Sequence, residues 1–143
     1  MEELFVPYQI AIELRKQGFD EPCLAGYFCY TSLSEKTKIE LHTFSGPVMG
    51  KNVVFKNSDS YYKMDGNTNV TAPLYQQVID WLVKIHKIKI RLIPYTSGKD
   101  KWGIWKWIDT GNGWAEYFPK TEDGKYIFLE TCDLCIQEAL KLI

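Results

Sequence analysis

Four of the five tryptophans of the chain lie in one stretch, KWGIWKWIDTGNGW, between residues 101 and 114. Indole rings with lysine or arginine side chains beside them can stack on nucleobases while the cations hold phosphate groups. Clustered rings can equally form the buried core of a sheet. The face on which each ring lies therefore decides between a ligand-binding and a structural role.

Three short segments rich in β-branched and aromatic residues predict the strands that position these rings. They are IKIRLIPY (88–95), WGIWKWI (102–108) and WAEYF (114–118). The turn DTGNG between the last two supplies glycines for positive φ, which favours a hairpin. We therefore predict a three-stranded antiparallel meander.

Strand register predicts which residues share each face of this meander. We pair Tyr95 with Trp102 and Asp109 with Trp114. One face then consists of large apolar residues and is expected to be the core: Ile90, Leu92, Trp105, Trp107 and Phe118. The other face is basic, with Arg91 directly opposite Lys106. A bound anion would relieve the repulsion between these two cations.

The basic face is the candidate binding site for an anionic ligand, either nucleic acid or a nucleotide. Its candidate ligand-binding residues are Lys89, Arg91, Lys106, Tyr117 and Trp102. Two other interpretations stay open at this point. The face can be a solvated surface on which lysine side chains lie over isoleucines. It can also be an interface that binds another protein.

The motif CDLC has the Cys-x-x-Cys spacing of zinc sites and redox centres. Both of its cysteines fall on the apolar side of the last predicted helix, which consists of Phe128, Cys132, Cys135, Ile136, Ala139 and Leu142. We therefore expect buried and inert thiols. A zinc site completed by Cys23 and Cys29 is the weaker alternative, and no metal or cofactor is expected.

Neither histidine lies at a spacing that indicates a catalytic pair. His42 alternates with apolar residues in a predicted strand. His86 lies near the end of a predicted helix, where the helix dipole favours a cation. SGPVMGKN (45–52) lacks the GxxxxGK[ST] pattern of a phosphate-binding loop and is expected to be a hairpin turn. We expect a binding protein rather than an enzyme, which would need a pocket that gathers His42 with carboxylates.

The remaining patterns predict helices. Pro7 and Gly18 delimit the first helix, and Thr71 and Pro73 begin the second. The second helix has an apolar side formed by Leu74, Val78, Trp81, Leu82 and Ile85, with polar residues opposite. The third helix runs from about Phe128 to Leu142.

Further strands are predicted at residues 23–31, 37–44 and 52–56, with a loop at 57–70. Together with the helices, they predict a single α+β domain spanning residues 1–143. In this domain, an antiparallel sheet combines the C-terminal meander with N-terminal hairpin strands, and about three helices pack on one face.

The composition is that of a globular protein with an unusually aromatic interior. Of 143 residues, 45% are hydrophobic and 15% aromatic. The formal charge of −1 argues against a histone-like bulk electrostatic nucleic-acid binder. The acidic, interrupted N-terminal stretch is not typical of a secretory signal, and no segment is apolar enough to span a bilayer. We expect a cytoplasmic protein with reduced cysteines.

Three stretches carry a family resemblance: ELFVPYQIAIELRKQGFDEPCLAGY (3–27), TAPLYQQVIDWLVKIHKI (71–88) and EALKLI (138–143). The chain resembles a family of small uncharacterised proteins of Bacteroidetes and their phages and mobile elements. Residues 28–66 and the tryptophan hairpin are particular to this chain. The resemblance implies a small accessory protein in a bacterial host cell, and it carries over no functional residues.

These observations lead to one expected function and one alternative. We expect a non-enzymatic accessory protein of a phage or mobile element that binds nucleic acid or a nucleotide on the basic, aromatic sheet face. The alternative is a protein–protein interaction module that binds a host or phage protein.

Overall fold

Helices and antiparallel strands occur together in this chain, which confirms the α+β class. The computed structural model describes residues 2–30, 37–43, 47–48, 51–52, 54–59, 69–94, 102–109, 111–117 and 128–143. Two compact units divide the chain, Met1–Leu74 and Tyr75–Ile143. The described strands form three separate sheets rather than the single sheet that the sequence predicts.

The described residues of the first unit form one α-helix and five strands. In chain order its elements are a short 3-10 helix Glu2–Leu4, α1 Tyr8–Lys16, β1 Ala25–Tyr30, β2 Lys38–Thr43, β3 Pro47–Val48, β4 Lys51–Asn52 and β5 Val70–Thr71. Strand β1 is central and pairs antiparallel with both β2 and β5. Strands β3 and β4 pair with each other. The predicted strand at 52–56 reduces to the end of β4 and one bridge between Phe55 and Cys23.

Helix α1 ends as Gly18 predicts, and it begins one residue later than expected, since Pro7 precedes the first helical residue. Pro7 occupies the N-cap, and Gly18 has a φ of 85°, the left-handed conformation that glycine adopts without strain. Ile10, Ala11 and Leu14 are buried on one side of the helix. This apolar side anchors α1 to the first unit.

The core of the first unit lies on one face of its sheet. Phe5, Ala25 and Ala72 are buried together, with Tyr27 and Leu41 packed against them. Side chains alternate between the faces of a strand, so Phe28 and Glu40, which are opposite each other, belong to the other face.

A buried asparagine ties the turn after β4 to this sheet. Asn57 donates from Nδ2 to the carbonyl oxygen of Phe19 at 2.8 Å. Its Oδ1 accepts the main-chain N–H of Thr71 at 3.0 Å. Both main-chain groups need a partner because they are removed from water. The turn therefore contributes to the fold of the first unit, although the sequence predicts only a loop there.

In the second unit, the part of the chain that the structure describes forms two α-helices and three strands. They are α2 Tyr75–His86, β6 Ile88–Pro94, β7 Trp102–Asp109, β8 Trp114–Tyr117 and α3 Phe128–Leu140. The strands form an antiparallel sheet in the order β6-β7-β8. Gly111 and Gly113, in the turn between β7 and β8, have φ values of 80° and 127°. This is the positive φ that the DTGNG sequence predicts.

Helix α2 begins later than the sequence predicts. Thr71 is a strand residue opposite Gly26 of β1, and both Thr71 and Pro73 precede the helix. The expected N-cap is therefore wrong, because pairing with β1 holds the Thr71 main chain in an extended conformation.

The apolar side of α2 is largely as predicted, since Val78, Trp81 and Leu82 are buried. Two residues are exceptions: Ile85 has 52% of its surface exposed, and Leu74 precedes the helix and packs against the core of the first unit. In α3, the buried residues include both cysteines of the CDLC motif: Cys132, Cys135, Ile136, Ala139 and Leu140. Leu142 follows the end of the helix and is exposed, which contradicts its predicted place on the apolar side.

The register between β6 and β7 differs from the prediction by one residue. Trp102 pairs with Pro94 rather than with Tyr95, so Trp105 lies opposite Arg91 and Trp107 lies opposite Lys89. Register slips of one residue exchange the two faces of a strand. The consequence is that the tryptophans at 105 and 107 fall on the face predicted to be basic.

The observed register has a physical reason in the aliphatic residues. In this register, all aliphatic positions of β6 and β7 except Ile93 belong to the same face of the sheet: Ile88, Ile90, Leu92, Ile104 and Ile108. Ile88 and Ile90 are 3% and 9% exposed, and helices α2 and α3 both contact β6. Ile88 and Ile90 face the helices in either register, and the observed one adds Ile104 and Ile108 of β7 to their face in place of Trp105 and Trp107.

Candidate functional site

We call the sheet of β2, β1 and β5 the first sheet and the sheet of β6, β7 and β8 the second sheet. On the face of the second sheet that carries Lys89, basic positions pair with tryptophan positions. Lys89 is exposed between the buried residues Ile88 and Ile90. Its register partner is Trp107, and the register partner of Arg91 is Trp105. Directly paired residues share a face, so these four positions form one surface, which we call the Lys89 face.

Three of the five predicted ligand-binding residues fall on the opposite face. Lys106 pairs with Ile90 on one side and with Tyr117 on the other, and Trp102 pairs with Pro94. These three positions therefore belong to the face of Ile90 rather than to the face of Lys89. The predicted proximity of Arg91 and Lys106 is wrong, because it depended on the register that the β6–β7 pairing excludes.

Acidic residues also belong to the Lys89 face. Glu116 of β8 is the register partner of Trp107, and Asp109 is two residues from Trp107 on the same strand. By register, two basic and two acidic positions thus share this face with the two tryptophan positions. Such a surface attracts phosphate weakly and favours a ligand whose aromatic ring supplies part of the binding free energy.

Sequence reasoning missed a charged line in the first unit. Lys38, Glu40 and His42 alternate along β2 and therefore share one face. Lys38 Nζ lies 2.5 Å from Glu40 Oε1, and His42 Nε2 lies 3.2 Å from Glu40 Oε2. The i, i+2 spacing of Glu40 and His42 was visible in the sequence as the signal for this pair.

Glu40 is the shared partner in this line. Its hydrogen bonds from Lys38 and His42 lower the pKa of the Glu40 carboxyl, and the same carboxylate raises the pKa of Lys38. A carboxylate that is already paired with a lysine is a weak general base, because protonating it breaks that pair. The arrangement is therefore better suited to binding than to proton transfer.

A surface pocket of about 480 Å³ adjoins this line. Its lining consists of Tyr27, Ile39, Glu40, Leu41 and His42. The Phe28 ring meets the His42 ring edge-on, with centroids 5.2 Å apart. The pocket therefore brings His42 together with one carboxylate.

The thiols of Cys23 and Cys132 resist ionisation. Burial raises the pKa of Cys23 to about 11, and burial together with the nearby Asp133 carboxylate raises the pKa of Cys132 to about 11. Thiols with such pKa values are poor nucleophiles at neutral pH. Within the described residues, no three His, Cys, Asp or Glu side chains lie close enough together to hold a metal ion.

Burial shifts the pKa values of two groups in the second unit in opposite directions, and in each case it favours the neutral form. Burial lowers the pKa of His86, whose ring meets Trp81 edge-on with centroids 4.3 Å apart. Burial raises the pKa of Asp133, whose Oδ1 accepts a hydrogen bond from Tyr75 Oη at 2.5 Å. For His86, the direction of this shift is opposite to the one that its place near the helix C-terminus was expected to favour.

Comparison of the chain with protein-family models, with curated proteins and with solved structures finds no match. In the part of the chain that the structure describes, no helix has the length and apolar character needed to cross a membrane.

Proposed function

We propose that the protein binds single-stranded nucleic acid, or a nucleotide, on the Lys89 face of its second sheet. The observation that carries this proposal is the β6–β7 register, which pairs Lys89 with Trp107 and Arg91 with Trp105. Tryptophans adjacent to cations are the groups that stacking platforms for unpaired bases use. The setting we propose, from the resemblance of residues 3–27 and 71–88, is the cytoplasm of a bacterial host, where the protein acts as a phage or mobile-element accessory factor.

The mixed charge of the Lys89 face favours single strands over duplex DNA. Duplex binding depends chiefly on many cations that neutralise phosphates. Here Lys89 and Arg91 are accompanied by Asp109 and Glu116, so the electrostatic contribution is small. Unpaired bases, in contrast, can stack on indole rings, and each stacked base contributes about 1–3 kcal/mol.

A binding measurement with substituted proteins tests the proposal. We expect fluorescence anisotropy with labelled oligothymidylate to show binding by the native chain. The double variant Trp105→Ala/Trp107→Ala should lose at least about tenfold in affinity, because two stacking rings are removed. Lys89→Glu/Arg91→Glu should lose a similar amount. The native chain should make two phosphate contacts. A plot of the logarithm of its affinity against the logarithm of salt concentration should therefore have a slope of about −1.4.

Lys84→Glu is the matched control, because Lys84 is exposed on α2 and the substitution changes charge in the same way. It should leave the affinity unchanged. Circular dichroism and thermal unfolding verify that each variant is folded. Equal affinity of native and Trp105→Ala/Trp107→Ala protein for oligothymidylate, RNA and mononucleotides would refute the proposal.

A host or phage protein as the partner is the competing outcome. Pull-down from a bacterial lysate, with and without nuclease, separates the two. A partner that remains bound after nuclease treatment and is lost with Lys89→Glu/Arg91→Glu would assign the Lys89 face to protein recognition instead.

A further inference from the structure

Strand β2 lies at an edge of the first sheet. The strand order is β2-β1-β5, and in the described ranges no strand pairs with the outer side of β2. An edge strand presents alternate main-chain N–H and C=O groups that another strand can pair with. The side chains and the pocket beside this edge indicate which strand that is.

The pocket at this place follows the edge of the sheet. Four consecutive residues of β2, from Ile39 to His42, line it together with Tyr27. Consecutive side chains of a strand point to opposite faces. The pocket lining therefore includes residues from both faces of β2, the strand at which a further strand could be added.

The usual protection of an edge is weak here. Edge strands are commonly guarded by a charged side chain such as lysine. Lys38 and Glu40 neutralise each other at 2.5 Å, and His42 adds a second contact to Glu40. Next to them Ile39 is 41% exposed, so the edge offers apolar surface as well as main-chain groups.

The charge pattern of β2 is complementary to itself. If two copies of β2 run antiparallel about an axis at Leu41, Glu40 of each copy lies opposite His42 of the other. Ile39 then lies opposite Thr43, so five residues of each strand pair. A pairing centred on Glu40 would instead oppose two carboxylates, which is destabilising.

We propose that β2 is a self-association site, at which two copies of the chain join their first sheets by antiparallel β2–β2 pairing centred on Leu41. Such an interface has twofold symmetry, so every cross-strand contact occurs twice. Strand addition of this kind obtains its affinity from main-chain hydrogen bonds and its register from the side chains. The site is independent of the Lys89 face and of nucleic-acid binding.

Sedimentation velocity of the full chain over a range of concentrations tests this site. The native chain should dimerise reversibly. Glu40→Lys removes the carboxylate that faces histidine, and His42→Glu sets two carboxylates face to face. Each should weaken dimerisation about tenfold, because the change acts at two symmetric pairs. The double variant Glu40→Lys/His42→Glu restores opposite charges across the axis and should recover dimerisation.

Glu13→Lys is the matched control, since Glu13 forms an exposed ion pair with Lys16 on α1. It should leave dimerisation unchanged. Amide hydrogen exchange of the native chain should show protection of β2 that increases with concentration, and this readout needs no variant. A native chain that stays monomeric at every concentration, with β2 exchange independent of concentration, would overturn the proposal. Failure of the folded double variant to recover dimerisation would also overturn it.

Discussion

The outer faces of the two sheets present charge in different ways. On β2 of the first sheet, Lys38 and His42 both contact the carboxylate of Glu40, which lies between them on the strand. On β6 of the second sheet, Lys89 and Arg91 are two cations in the same phase, next to positions occupied by tryptophan on β7. A strand whose charges are satisfied within itself is suited to pairing with another strand. Cations beside aromatic residues are suited to a ligand that carries both phosphate and a ring.

The two units also hold their segments together differently. The first unit uses polar side chains that bind main-chain groups, such as Asn57 between Phe19 and Thr71. Asn69 does the same: its Oδ1 accepts the N–H of Cys29 and its main-chain oxygen accepts a bond from Arg15. The second unit packs apolar helix sides on β6 and β7 and buries titratable groups in doing so. The comparison predicts that the first unit is sensitive to loss of polar contacts and the second to pH.

The largest effect is expected for Asn57→Ala. The substitution leaves the Phe19 carbonyl and the Thr71 N–H buried without their partner. Each such group costs about 1–3 kcal/mol of unfolding free energy. Urea unfolding followed by circular dichroism measures the loss. Asp59→Ala is the control, because its hydrogen bond to the Lys56 N–H is exposed. Equal stability of Asn57→Ala and Asp59→Ala would contradict a stabilising role for the two hydrogen bonds of Asn57.

A smaller effect, confined to acidic pH, is expected for His86→Phe. Burial lowers the pKa of folded His86 below its ordinary value of 6.5. The unfolded chain therefore takes up a proton first as pH falls, so the native protein loses stability below about pH 6.5. His86→Phe keeps a ring beside Trp81 but cannot titrate. Urea midpoints across this pH range should fall less in the variant, and parallel curves would contradict the assignment.

Asp133→Asn should have an effect of the opposite sign. Burial raises the pKa of Asp133 above its ordinary value of 3.8, although the hydrogen bond from Tyr75 partly offsets this. The protonated form is therefore favoured in the folded state. The protonated carboxyl therefore contributes to the free energy of unfolding. This contribution is fully present below the pKa of Asp133 in the unfolded chain and is lost as pH rises through its pKa in the folded protein. The amide retains an acceptor for Tyr75, so thermal unfolding near neutral pH should show equal or slightly higher stability. A clear loss of stability there would contradict this account.

The smallest effect on folding is expected for Glu40→Gln. The carboxylate is partly exposed and its ion pair with Lys38 is on the surface, where such pairs contribute little to stability. The midpoint of thermal unfolding should stay within the error of the native value. A marked decrease would show that the charged line on β2 supports the fold and is not only a recognition surface.

Much of the local structure was predictable from the sequence. Gly18 and the glycines of the DTGNG turn adopt the positive φ that their positions require. The periodicity of α2 predicts the burial of Val78 and Trp81. These features depend on interactions within a few residues, which is why a single sequence reveals them.

The parts that sequence reasoning missed depend on distant pairing. The β6–β7 register is one example, because Ile88 and Ile90 face the helices in either pairing and their pattern does not reveal which face of β7 joins them. Thr71 looked like an N-cap because its pairing with Gly26, far away in the chain, leaves no local signal. Asn57 is equally inconspicuous, since both of its main-chain partners lie more than ten residues away. The Glu40–His42 pair was visible as an i, i+2 spacing only if β2 was treated as a strand with one charged face.

The register of β6 against β7 can be measured directly from nuclear Overhauser contacts between main-chain protons of the two strands. The account predicts that Lys89 contacts Trp107 and that Arg91 contacts Trp105 across the strands, which assembles the Lys89 face. Contacts of Ile90 with Trp107 and of Leu92 with Trp105 would contradict it, because they would turn both indoles to the side of the aliphatic core.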